Sequence, residues 1–314
     1  TLSEMGNCLF RSYKTSFRVM LAIIIPYFKL TFFKATLQSL AVQTCQDFKV
    51  YIGDDASPED PKATLEQFQS KFNFSYHRFE TNLGGTSLTQ QWERCIALSD
   101  NEEWLMILGD DDVLGENVVA EFYKNLPEIE EIGVNVIRFA TQKINELGIC
   151  ISDVYIHPKI EKATDFLFRN TRSSLSEYVF NRKKVVDIGF RNFPLGWYSD
   201  VMAVLEFSEF DTVFTLNESL VFIRISNDSI SGKQDNFKLK SSATFAFYYY
   251  LLKNKKQIFD KLQTKELIKC ICKAYLNDKK QVLNFFKIFW LYMSRGWVYE
   301  YFSFIKAMFL NLQK

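Results

Sequence analysis

The order of apolar runs and helix-period segments predicts an α/β fold on a mostly parallel central sheet, with a helical appendage at its carboxyl end. Three observations carry that expectation. Short branched or aromatic runs near residues 21–25, 48–52, 74–79 and 104–108 alternate with segments of helical spacing. Acidic or glycine-containing turn clusters follow the last three runs closely, where parallel strands would open. From about Lys238 the sequence turns helical and rich in lysine and aromatic residues.

The first run, LAIII at 21–25, is the unbroken branched-chain type that is buried on both faces, and Pro26 is expected to stop it. The next segment carries Phe33, Leu37, Leu40 and Ala41 on one helical face, which packs on a sheet and returns the chain to a second strand. That strand, 48–52, ends in Gly53-Asp54-Asp55-Ala56-Ser57-Pro58. A third strand leads to Asn82-Leu83-Gly84-Gly85-Thr86, whose glycines permit a tight turn and close approach of backbone to ligand. A helix over about 86–99 precedes the fourth strand, which runs directly into Gly109-Asp110-Asp111-Asp112.

Further on, the pattern reads as a helix near 116–125, a strand at 134–141, hairpin-like segments over 144–156 and a helical stretch from about 163. The late helices carry Phe245, Tyr248, Tyr249 and Leu252, then Phe285, Phe286, Phe289 and Trp290. The expected organisation is a leader at 1–19, a main domain at 20–235 and a helical region at 236–314. The leader reads as neither amphipathic helix nor secretory signal, and Met20 is a candidate start.

Composition narrows the function. With 314 residues and 47% hydrophobic, the chain can bury a large core, which excludes disordered and fibrous classes. The 38 basic residues balance 37 acidic ones, so no overall field favours nucleic acid, and none is expected as a partner. The cysteines show no disulfide framework, which suits a reducing compartment. Cys270 and Cys272 lack a second pair, and only two histidines exist, so structural zinc is not expected. Lys287, Arg295, Glu300 and Lys306 interrupt the most apolar stretch, so no spanning helix is expected.

Three adjacent aspartates at a strand's end repel one another unless compensated. They make either a solvated acidic turn or a clamp for a hard divalent cation, Mn2+ or Mg2+, which takes carboxylates and substrate phosphates together. Asp54 and Asp55 are likewise either a turn-forming pair or ligand-facing groups. Asp200, before the apolar run 201–207, is either a helix-capping charge or a proton acceptor. Trp197 and Tyr198 beside it are core residues or a wall for sugar rings. No GxxxxGK[ST] loop is present, which argues against phosphate transfer of that type.

IIIPYFK at 23–29, VYIGDDAS at 50–57, NLGG at 82–85 and LGDDDVL at 108–114, in that order, resemble the landmarks of family 2 glycosyltransferases. QSLAVQTCQDFKVYI at 38–52 resembles that family's lead into its second strand, and the likeness covers roughly 20–230. The resemblance implies a GT-A, nucleotide-diphospho-sugar transferase fold and an inverting, metal-assisted transfer to a hydroxyl of a glycan or lipid-linked acceptor. It implies that Pro26, Tyr27 and Phe28 cup the nucleotide, that Asp55 takes the base with Asp54 in support, and that Asn82, Gly84 and Gly85 approach it. Asp111 and Asp112 would hold the divalent cation against the diphosphate. The family usually reads Asp-X-Asp-Asp here; this chain has Gly109 first, and Asp110 takes the missing role. GWYSD at 196–200 resembles the acidic motif near the acceptor, with Ser199 in place of a frequent glutamate; Asp200 would be the general base and Trp197 and Tyr198 would line the sugar. FIRISNDSISG at 222–232 resembles a segment that faces the diphosphate: Arg224 is present there, and the histidine common in relatives is not. Those two departures leave open a nucleotide-binding scaffold that keeps the fold without turnover. The family's common use implies bacterial surface-polysaccharide synthesis by a cytoplasmic enzyme. The lysine-and-aromatic carboxyl-terminal helices either lie peripherally on the inner membrane face or pack within the molecule or against a partner.

Overall fold

The computed structural model describes residues 21–169, 173–227, 229, 232, 236–278 and 281–312; the expected leader at 1–19 lies outside them. The first half alternates β1 (Leu21–Tyr27), α1 (Phe33–Ala41), β2 (Phe48–Asp54), α2 (Lys62–Glu66), β3 (Phe74–Arg78), α3 (Leu88–Ile96) and β4 (Trp104–Ile107). There follow β5 (Val113–Leu114), α4 (Val118–Ile132), β6 (Val136–Ile144), β7 (Ile160–Lys162), α5 (Ala163–Phe168), a single 3-10 turn at Leu175–Glu177 and β8 (Tyr178–Asn181). The chain continues through α6 (Arg182–Ile188), α7 (Ser199–Phe207) and β9 (Thr212–Arg224), and closes with α8 (Phe237–Asn254), α9 (Lys261–Asn277), α10 (Val282–Arg295) and α11 (Val298–Leu312).

The strands form one sheet in the order β3-β2-β1-β4-β8-β6-β9-β5, with β7 also on β9. β1, β2, β3, β4, β6 and β9 run one way, and β8, β5 and β7 oppose them. Both faces are covered, and the period of two sorts the side chains. Leu21, Ile23 and Ile25 face a core shared with α1 and α4, whereas Ala22 and Ile24 face one shared with α5, α7 and the carboxyl-terminal helices.

Pro26 does not end β1, contrary to the sequence expectation, and Pro26 and Tyr27 continue in register with Gly53 and Asp54. The reason lies in which neighbour each backbone group faces. The Ile24 carbonyl accepts from Leu108 and the Tyr27 carbonyl from Asp55, so even-numbered residues turn toward β4 and odd ones toward β2. The β4 ladder stops at Ile24, so the N–H that Pro26 lacks would have had no ladder partner.

Strand β8 runs against β4, pairing Met106 with Val179 and Trp104 with Asn181. Its first residue therefore sits over the carboxyl end of β4, and the segment leading into it, 173–177, lies beside Gly109. A buried ion pair fixes that segment: Arg138 Nε donates to Glu177 Oε1 at 2.9 Å, with side chains 2% and 0% exposed. The Arg138 guanidinium also lies over the Phe166 ring.

Helix α8 is embedded between the 3-10 turn Pro194–Gly196 and α9, so its buried residues, including Phe245, Phe247, Leu251 and Leu252, are not confined to one stripe. Tyr248 and Tyr249 are only partly buried. In α10 the covered residues are Asn284, Ile288, Leu291 and Tyr292, which leaves Phe286 and Trp290 outside.

Glu177→Ala strands the Arg138 guanidinium without this carboxylate and is expected to cost roughly 3–5 kcal/mol in urea unfolding. An Arg138→Met, Glu177→Leu double variant should lose less than either single change; a loss equal to their sum would contradict the reading.

Candidate active site

The loops after β1, β2, β3 and β4 meet at the carboxyl edge of the sheet, and aspartates fasten them to one another. Asp110 Oδ2 accepts the N–H groups of Phe28 and Lys29, each at 2.8 Å, which ties the loop after β4 to the end of β1. Burial pushes the Asp110 carboxyl up, and those two N–H bonds oppose the shift.

Asp54 is fully buried and its carboxylate is heavily engaged: it accepts from the Ser57 N–H at 2.8 Å, the Tyr76 hydroxyl at 2.6 Å and Arg78 Nη1 at 2.7 Å. Asp55 reaches the other way, taking the Leu83 N–H at 2.7 Å, the Gly84 N–H at 2.9 Å and the Arg94 guanidinium. A Cβ at Gly84 would lie 2.6 Å from Asp55 Oδ2, so any other residue there would displace that carboxylate. Asn82 Oδ1 completes the loop by accepting the Gly85 N–H at 2.6 Å. Arg94 also packs its guanidinium 3.9 Å from the Phe79 ring centre.

Asp112 is 5% exposed; its Oδ1 accepts the Arg224 N–H at 2.9 Å and its Oδ2 the Ser176 hydroxyl at 2.5 Å. Ser176 Oγ in turn accepts the Gly109 N–H at 3.0 Å. The Arg224 side chain donates to main-chain carbonyls, from Nε to Asp111 at 2.9 Å and from Nη1 to Asn145 at 2.7 Å, with its guanidinium over the Phe32 ring. Burial lowers its pKa, which the charges of Asp111 and Asp112 oppose.

Asp111 stands apart. Burial first, then the charges of Asp112 and Asp110, push its carboxyl far above the usual range, and Lys29 is the cation that relieves it. No group of three or more histidine, cysteine or acidic side chains suited to a metal occurs among the described residues. A magnesium or manganese ion needs fewer, since one or two carboxylates and the substrate's phosphates suffice. Asp111, crowded by like charge, fits that demand; Asp112 could share the ion only while keeping Ser176 and Arg224.

Asp200 lies in the first turn of α7, and Ser173 Oγ donates to its Oδ2 at 2.9 Å. Because Ser173 and Ser176 are three residues apart, Asp112 and Asp200 are fastened to points at most about 10 Å from each other along the chain. Trp197 is half-buried beneath Lys240, whose Nζ lies 4.9 Å from the ring centre. Tyr198 stacks on Phe247 at 4.5 Å, so α8 backs this wall. Tyr27 is fully buried and its hydroxyl donates to the Glu59 carbonyl; desolvation pushes that phenol up to about 12. Pro26 and Phe28 are half-buried at the edge instead.

The structure thus gathers Pro26, Phe28, Asp54, Asp55, Asn82, Gly84, Gly85 and Asp110 to Asp112 on one edge, with Asp200 joined through Ser173. Lys29, Arg78, Arg94, Ser173 and Ser176 escaped the sequence reading. For the two arginines a signal existed: a buried aspartate pair needs cations, and both follow, in β3 and α3. The serines carry no such mark.

A family model described as glycosyl transferase family 2 matches residues 22–185. No curated protein sequence matches the chain. Among solved structures, S. aureus TarS 1–349 in complex with UDP-GlcNAc has a TM-score of 0.57 at 14% identity, covering 83% of this chain and 73% of that one. S. aureus TarS has a TM-score of 0.54 at 14% identity, covering 82% of this chain and 43% of that one. TarS 1–349 in complex with UDP has a TM-score of 0.52 at 13% identity, covering 82% and 80%. At such identities the likeness speaks for the fold, which is GT-A. The family match runs from β1 into α6, with the loops after β1, β2, β3 and β4, and spans just over half the sequence: the chain belongs to glycosyl transferase family 2.

Proposed function

We propose that this chain is an inverting glycosyltransferase that moves a sugar from a nucleotide-diphosphate donor to a hydroxyl of a glycan or lipid-linked acceptor. The observation that carries the reading is the crowding of Asp111 by Asp110 and Asp112 at the carboxyl edge of the sheet, beside the loop that Asp55 organises. That is the place and charge a cation-bound diphosphate demands. The neighbours solved with UDP-GlcNAc and UDP support a nucleotide-sugar donor.

In this reading Pro26, Phe28, Asn82 and the Gly84–Gly85 backbone hold the nucleoside, with Asp54 and Asp55 fixing their loops. Asp111, with Asp112, would hold a divalent cation, which would offset charge on the departing diphosphate. Asp200 takes the proton of the acceptor hydroxyl as its oxygen attacks the anomeric carbon, and the bond from that carbon to the diphosphate oxygen breaks on the opposite face. Trp197 shields the sugar from water. Arg224 acts through the loop it ties and would set its positive charge toward the diphosphate.

Asp200→Asn is expected to lower kcat by at least about a hundredfold in a panel of nucleotide sugars, with the donor KM changed little. Unchanged kcat would remove Asp200 from the role; no turnover of any donor by the wild type would favour a scaffold.

We further propose that the enzyme works at the cytoplasmic face of a membrane, lying on it through α10 and α11. Phe286, Trp290, Phe302 and Phe309 are 52%, 67%, 66% and 59% exposed, beside exposed Lys287, Arg295 and Lys306. Glu300 is the one acid in these two helices. Aromatic rings among cations suit anionic headgroups. Among the described residues no helix is long and apolar enough to cross a membrane. Cosedimentation should show binding to phosphatidylglycerol-containing vesicles and not to phosphatidylcholine alone. Trp290→Ser with Phe302→Ser should weaken it at least about tenfold; equal binding by the variant would contradict the proposal.

A further inference from the structure

The short segment from Ser173 to Tyr178 holds one 3-10 turn and the first residue of β8, yet it touches two of the acids on which the proposed reaction depends. Ser176 Oγ donates to Asp112 and accepts from Gly109. Ser173 Oγ donates to Asp200 and lies 3.0 Å from the Tyr178 hydroxyl. Between them, Ser174 and Glu177 close a capping box, and Glu177 is held by Arg138 in the core. The segment enters β8, whose pairing with β4 and β6 fixes its far end.

Proton bookkeeping gives the contacts a direction. A serine hydroxyl has one hydrogen, and an ionised aspartate can only accept. Ser173 therefore gives its hydrogen to Asp200 and accepts one from Tyr178. Tyr178 is fully buried, and burial pushes its phenol well above the ordinary value, so it remains a donor. The chain from Tyr178 through Ser173 to Asp200 holds the carboxylate in one orientation.

We propose that residues 173–178 form a positioning strap, in which Ser173 orients Asp200, Ser176 orients Asp112, and the Arg138–Glu177 pair keeps the two at a fixed separation. This rests on the reading of Asp200 as the base and Asp112 as a cation-side carboxylate. Ser173 and Ser176 act through those acids, so they are positioning residues.

A strap that only stabilised the fold would make its two serines equivalent; a positioning strap makes them differ. The test uses the full chain and the donor of the panel that the wild type turns over fastest, with Mn2+ varied. Ser173→Ala is expected to lower kcat about 10- to 100-fold, with donor KM and the Mn2+ activation constant within about twofold of wild type. Ser173→Thr, which keeps the hydroxyl, should restore most of kcat. Ser176→Ala is expected to raise the Mn2+ activation constant about tenfold or more. Asp200→Asn is the control. If it abolishes turnover while Ser173→Ala keeps full kcat, the strap is overturned and the base stands. If Asp200→Asn keeps full kcat, the underlying reading fails and takes the strap's first arm with it. Parallel losses in all constants, tracking a lowered Tm in both serine variants, would also overturn the proposal.

Discussion

The site depends on one repeated interaction, a carboxylate past the end of one strand accepting main-chain N–H groups from the end of another strand or the loop that follows it. Asp110 does this for Phe28 and Lys29, Asp55 for Leu83 and Gly84, and Asp112 for Arg224. Such charge-assisted bonds are stronger than neutral ones, and they need the acid to stay ionised where little or none of it reaches water. Lys29 supplies a cation near Asp110 and Arg94 one against Asp55, as Arg78 does for the neighbouring Asp54. The result is a ring of loops that cross-brace each other. Asp111 is left as the acid most strongly crowded by its neighbours, and the proposal of a bound cation rests on that remainder.

Much of this architecture could be read from the sequence. Buried strand runs, helical spacing and the four turn clusters located β1 to β4 and the loops after them, because alternation and turn chemistry are local properties. The sheet beyond β4 was less legible. β8 enters between β4 and β6 and runs against both, and no local pattern distinguishes a central antiparallel strand from a hairpin arm. Pro26 misled for a similar reason. Its missing N–H matters only if a neighbour faces it, and that depends on where the β4 ladder ends.

The chemistry was legible as residue types and less so as duties. Asp54, Asp55 and Asp110 looked like ligand groups; in the structure each holds a loop, which a sequence cannot display because the partners are 3 to 82 positions away. Ser173 and Ser176 are common residues in an unremarkable stretch, and only the reversal of chain direction at β8 brings them to the carboxyl edge. The carboxyl-terminal helices show the same division. Their content of aromatics and lysines was evident, but which rings back Tyr198 and which face outward was decided by the packing of α8 against α9.

The central claim is that the aspartate edge completes itself with a cation and a nucleoside diphosphate together. Calorimetric titration of UDP and other nucleoside diphosphates into the full chain, with and without Mn2+, tests it most directly. Binding of at least one nucleotide that strengthens about tenfold or more with Mn2+, and loses that gain in Asp111→Asn, is the predicted result. Binding that ignores Mn2+, or no binding to any nucleotide, would contradict the account.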